Sequence, residues 1–121
     1  MRLFPVISLL ALLLVPAGFA KDPTTQLNLV VRNEQGDPVS RASIIVRTLK
    51  GKNLKKVGET FQLKTSQQGT APLPPVKQGV ALIQIIADGY QTFGERIQLE
   101  EAEQTVTITL KEPADQLSVH K

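Results

Sequence analysis

Between Gly79 and Gly89 the chain runs Val80-Ala81-Leu82-Ile83-Gln84-Ile85-Ile86-Ala87-Asp88, and Tyr90 follows the second glycine. Glycine accepts the positive φ that tight turns demand, and the β-branched run between the turns suits a pleated, half-buried surface. The run is apolar on nearly both faces, which predicts a central strand covered from two sides. Similar turns lie upstream at Asn33-Glu34-Gln35-Gly36-Asp37-Pro38 and Ser66-Gln67-Gln68-Gly69.

The segments between these turns repeat with a period of two residues. Leu27, Leu29 and Val31 share one face of 26–32, and Ala42, Ile44 and Val46 share one face of 42–48. After the long basic connection 50–58, residues 60–65 place Phe61, Leu63 and Thr65 on one side. Residues 71–76 carry Pro72, Pro74 and Pro75 and are expected at a sheet edge, since proline cannot donate to a ladder. Residues 80–87, 92–99 and 105–110 complete seven strands at hairpin-like spacing, the last in strict alternation. No helical period is sustained. Glu100-Glu101-Ala102-Glu103 is expected to be an acidic turn. The pattern predicts an all-β sandwich.

The first twenty residues have a different logic. Arg2 precedes an apolar run from Leu3 to Val15, and Gly18 and Ala20 stand at −3 and −1 of a cleavage site before Lys21. Residues 1–20 are therefore expected to be a signal peptide, cut after Ala20. The run is shorter than the roughly 20 apolar residues that span a bilayer, so no membrane span is expected after cleavage. Roughly a hundred residues remain, enough for one domain over 21–111 with a polar, fraying tail over 112–121. The formal charge of +3 falls by one with Arg2 and gives no strong case for polyanion binding. The expected destination is the periplasm or the extracellular space.

Inventory restricts chemistry. The chain has no cysteine, which excludes thiol catalysis and cysteine-based zinc sites, and an exported domain of this kind must rely on packing and ladders. The one histidine, His120, lies in the tail, where nothing holds a general base against its proton. The chain also lacks tryptophan, and the mature portion keeps only Phe61, Phe93 and Tyr90 as aromatics. Core packing accounts for these rings, with Tyr90 at a corner where its hydroxyl can find a partner. Nucleic acid is not expected without a stacking surface. Glu34, Asp37 and Asp88 are read as turn stabilisers, not as a metal site.

The motifs resemble the carboxypeptidase regulatory-like domain, a transthyretin-like (prealbumin-like) sandwich. The resemblance runs over about Leu27 to Leu110. It rests on Glu34-Gln35-Gly36-Asp37-Pro38-Val39 before Ala42-Ser43-Ile44, on Thr65-Ser66-Gln67-Gln68-Gly69, and on Pro75-Val76-Lys77-Gln78-Gly79 with Ala87-Asp88-Gly89-Tyr90. It implies a seven-stranded antiparallel Greek-key β-sandwich, standing alone in a secreted form. Gln67 and Gln68 occupy positions where members often carry aspartate, and neutral amides are poor ligands for hard cations. Hydrolases of purine degradation share this fold but need fixed histidines and a Tyr-Arg-Gly-Ser ending, and the chain has neither. A collagen-adhesin-type isopeptide needs a first-strand lysine and a last-strand asparagine, also missing here.

The resemblance implies an accessory module without catalytic activity, cofactor or metal, binding an envelope or secreted protein. The alternative is a carbohydrate-binding module of starch-binding-like fold. Two candidate contact sets stand out. Lys50, Lys52, Lys55 and Lys56 could meet an anionic surface or simply be a solvated hairpin tip that discourages aggregation. Tyr90 with Gln91 is the pair to test for glycan.

Overall fold

The computed structural model describes residues 22–113. The expected signal segment and most of the expected tail, His120 included, lie outside these residues. The chain forms β1 (Thr24–Asn33), β2 (Ser43–Lys50), β3 (Lys56–Lys64), β4 (Thr70–Pro72), β5 (Val76–Lys77), β6 (Gly79–Ile86), β7 (Phe93–Leu99) and β8 (Glu103–Leu110). No helix occurs among the described residues. One sheet is ordered β3-β2-β6-β7; in the other, β1 pairs with β4, β5 and β8.

The two-residue period becomes burial in both sheets. Leu27, Leu29 and Val31 of β1, Ile44 and Val46 of β2, and Ala81, Ile83 and Ile85 of β6 join Leu99, Ile108 and Leu110 in one hydrophobic cluster. Phe61, Leu63, Tyr90, Phe93, Ile97 and Val106 pack against it from the margins. A single core fed by the inner faces of two sheets is a β-sandwich-like architecture.

Three expectations need correction. Eight strands form where seven were expected, because Leu73-Pro74-Pro75 interrupts the proline-rich segment between β4 and β5. The two pieces still follow one edge of β1. Val31 N–H donates to Gly69 O, Leu73 N–H to Leu27 O and Gln78 N–H to Pro23 O, all at odd-numbered positions of β1 and its lead-in. Gln26 N–H faces the opposite way, toward Ala102 O beside β8. The register moves by one residue between Asn28↔Pro72 and Thr25↔Val76, and Gln26 Nε2 donates to the Leu73 carbonyl in the gap at 2.6 Å.

The second correction concerns direction. β1 and β8 pair in parallel over Gln26↔Glu103 to Asn33↔Leu110, so the sandwich is not wholly antiparallel. The rest of the domain serves as the long connection a parallel pair requires. The third concerns β6, which is central between β2 and β7 but not covered on both faces. Ala81, Ile83 and Ile85 are buried, while Ile86 on the outer face is 52% exposed.

Candidate functional site

The basic tip grows directly out of the β2–β3 ladder. Lys50 ends β2 and stands opposite Lys56, the first residue of β3. Between them Gly51 and Leu54 adopt left-handed φ values of 90° and 55°, and Leu54 N–H closes the turn onto Gly51 O at 3.2 Å. Lys50, Lys52, Lys55 and Lys56 are all exposed, so the structure gathers the four residues at one end of the molecule. Like charges directly across a ladder repel, and water and salt moderate the cost at an exposed tip.

Just inside the tip, β3 carries a bulge that the alternation did not reveal. Gly58 and Glu59 together oppose Thr48, since Arg47↔Thr60 is followed by Leu49↔Val57. Buried Thr48 Oγ1 accepts Glu59 N–H at 2.7 Å, and a Cβ on Gly58 would lie 2.7 Å from that same oxygen. Glu59 lies on the partly buried face of β3, with Phe61 and Leu63. Glu59 Oε1 is buried and has no hydrogen-bond partner among the described residues. Glu59 and Lys77 line two adjoining clefts, one of about 420 Å³ with Asp22, Thr24 and Pro75, the other of about 170 Å³ with Thr48, Lys50 and Gln78. Sequence reasoning missed Glu59 and Lys77. A signal for Glu59 existed, because it stands in phase with Phe61 and Leu63.

Tyr90 and Gln91 sit at the other end. Ser43↔Ile86 marks that end of β6, and Thr48↔Ala81 marks the lysine end, so the two candidate sets are not one site. Tyr90 is half-buried against the core, and its hydroxyl accepts from Asn33 Nδ2 at 3.3 Å. Gln91 N–H donates to Lys111 O, and Gln91 Nε2 donates to Glu112 O at 2.8 Å. Both residues therefore fasten loops. A cleft of about 300 Å³ beside Tyr90 is lined by Arg41 and Asp88, and one of about 320 Å³ by Gln91 and Phe93.

In the loop 33–38 the bracing side chain is Asn33 and not the neighbouring Glu34 or Asp37. Asn33 Oδ1 accepts from Gln35 N–H and Asp37 N–H, shaping the Asn33–Pro38 loop. Among the described residues, no group of three His, Cys, Asp or Glu side chains is placed to hold a metal ion. Among the described residues no helix is long and apolar enough to cross a membrane.

No protein-family model matches the chain, and no curated protein matches it. Solved structures do match. The Bacillus anthracis TIE protein aligns at TM-score 0.57 and 17% identity, over 74% of this chain and 17% of that one. The Streptococcal ancillary pilin aligns at 0.56 and 17%, over 77% and 34%. The 3-chlorocatechol 1,2-dioxygenase of Rhodococcus opacus aligns at 0.61 and 11%, over 78% and 62%. At such identities the likeness is one of fold, and the chain spans less than two thirds of each of these proteins. It belongs with β-rich, sandwich-like domains.

Proposed function

We propose that this chain is an exported, non-enzymatic interaction module of the carboxypeptidase regulatory-like kind that binds an acidic protein surface in the cell envelope. The observation that carries the reading is the basic pole: four exposed lysines held on a short hairpin turn, two of them directly opposed across the ladder. A concentration of one charge on a short turn costs repulsion in the free protein, and an anionic partner relieves it. The transthyretin-like Greek-key topology is supported by the strand positions. Counting β4 and β5 as one interrupted edge strand leaves three positions in one sheet and four in the other. The signal over residues 1–20 would deliver the module outside the cytoplasm.

The glycan alternative draws no support from Tyr90 and Gln91, whose polar groups are engaged with Asn33 and Glu112. A photo-crosslinker placed at Asn53, between Lys52 and Lys55, tests the main reading in intact cells. The expected result is one discrete protein adduct that disappears in a Lys52→Glu/Lys55→Glu variant. Adducts with polysaccharide alone, or an adduct indifferent to the charge reversal, would count against it.

A further inference from the structure

The flank between β3 and the interrupted β4–β5 edge combines three features that suit one occupant. The first is an open ladder, since β3 pairs only with β2 among the described residues. Glu59 N–H and Thr65 N–H both turn toward the β2 side, at Thr48 Oγ1 and Ala42 O. Backbone groups alternate sides along a strand, so the N–H and C=O of Thr60, Gln62 and Lys64 face outward. The second is incomplete cover beneath this edge. Phe61 and Leu63 are only partly buried, and Glu59 Oε1, beside a cleft of about 420 Å³, is buried without a partner among the described residues. The third is charge: Lys55 and Lys56 stand at one end of the strand and Lys64 at the other, all exposed.

The remaining edges are interrupted by proline or tied at their ends. Pro72, Pro74 and Pro75 break the β4–β5 edge. On β7 the Gln98 carbonyl already accepts from Gln104 Nε2, and Gln104 Oε1 takes the N–H groups of Glu100 and Glu101, tying β7 to β8. Gln91 holds Lys111 and Glu112 just beyond the far end of β8.

We infer that β3 is a docking edge for an extended, acidic segment of a partner protein, which adds to it as a further strand. Side chains of an added strand alternate between two faces. One set lies over Phe61 and Leu63 and is apolar, with a hydrogen-bond donor beside Glu59. The other set faces Thr60, Gln62 and Lys64, and sets a carboxylate against Lys64. A second copy of this chain fits poorly, because antiparallel self-pairing lays the Lys56 end of one strand against the Lys64 end of the other. The inference rests on the protein-binding reading above and specifies its surface and the chemistry of its partner.

The test uses the purified full chain and a short synthetic peptide alternating valine with glutamate. Binding is expected to slow amide exchange at Thr60, Gln62 and Lys64 by about tenfold or more, leaving the other edges unchanged. Gln62→Pro removes one outward N–H at a position where an edge tolerates proline, and weakens binding by about tenfold. The same peptide, N-methylated at alternate backbone nitrogens, does not bind, which tests the ladder without altering the protein. Lys64→Glu moves the preference by about fivefold toward a valine–lysine peptide. No binding, protection spread evenly over the molecule, or undiminished binding of the N-methylated peptide overturns the docking edge. A discrete crosslink at the lysine tip combined with unprotected β3 amides overturns the docking edge alone; loss of both removes the interaction module as well.

Discussion

Thr65 illustrates how one side chain can fix a junction between strands. It is buried, its Oγ1 donates to Val39 O at 2.7 Å and accepts from Ala42 N–H at 2.9 Å, and its own N–H donates to Ala42 O. Valine has nearly the same shape but would leave two buried backbone groups unpaired. Thr65→Val is therefore expected to lower stability by about 1–3 kcal/mol in urea titrations, whereas Thr65→Ser, which keeps the oxygen, should recover most of it. Four residues on, Gly69 has φ of 77°, and a Cβ there would lie 2.6 Å from Val31 O. Left-handed backbone and a main-chain clash act together, so Gly69→Ala should cost more than the same change at Gly36, which has open space around it. Thermal melts of the two variants make the comparison. The Thr65-to-Gly69 spacing was visible in the sequence; what it holds together was not, because Val39 and Ala42 reach Thr65 only in the folded chain.

Among the elements, β6 separates inner from outer face most clearly. Ile83→Ala empties a site with no exposure and should cost about 2–5 kcal/mol, while Ile86→Thr, on the half-exposed outer face, should stay within about 0.5 kcal/mol. Chemical denaturation of both variants checks the contrast. The hairpin tip offers a second test. Lys56→Glu converts a like-charge pair with Lys50 into an opposite one and should stabilise the protein by a few tenths of a kcal/mol at low salt, a gain that fades as salt rises. A variant that is more stable yet loses its envelope crosslink would mark the tip as a place where stability gives way to binding. The alternations over 26–32, 42–48, 60–65 and 105–110 were legible before the fold, since period two depends only on local residues. The start of β3 at Lys56 was not, because Gly58 and the lysines read as connection until the bulge at Glu59 is seen. Neighbouring lysines could be grouped from sequence because they lie within one turn. The Glu59–Lys77 cleft could not, because it forms only when β3 and β5 come to lie on the same flank.

At the scale of the whole molecule, the pairing of first and last strands governs assembly and mechanics. Contacts this distant in sequence delay the rewarding step of folding until β8 has emerged, so refolding is expected on the order of milliseconds to seconds. Stopped-flow fluorescence of Tyr90 would follow it, and microsecond refolding would contradict the expectation. Because β1 and β8 run the same way, the chain enters the domain at the lysine end and leaves it at the Tyr90 end. Tension applied through these two points would pull β1 and β8 past each other along their length. Their shared hydrogen bonds would then resist as a group instead of opening one by one, as a hairpin does when drawn apart at its mouth. In single-molecule pulling, rupture from the two ends of the domain should thus need more force than rupture between Lys50 and Lys56, and a tether built from such domains would hold under load.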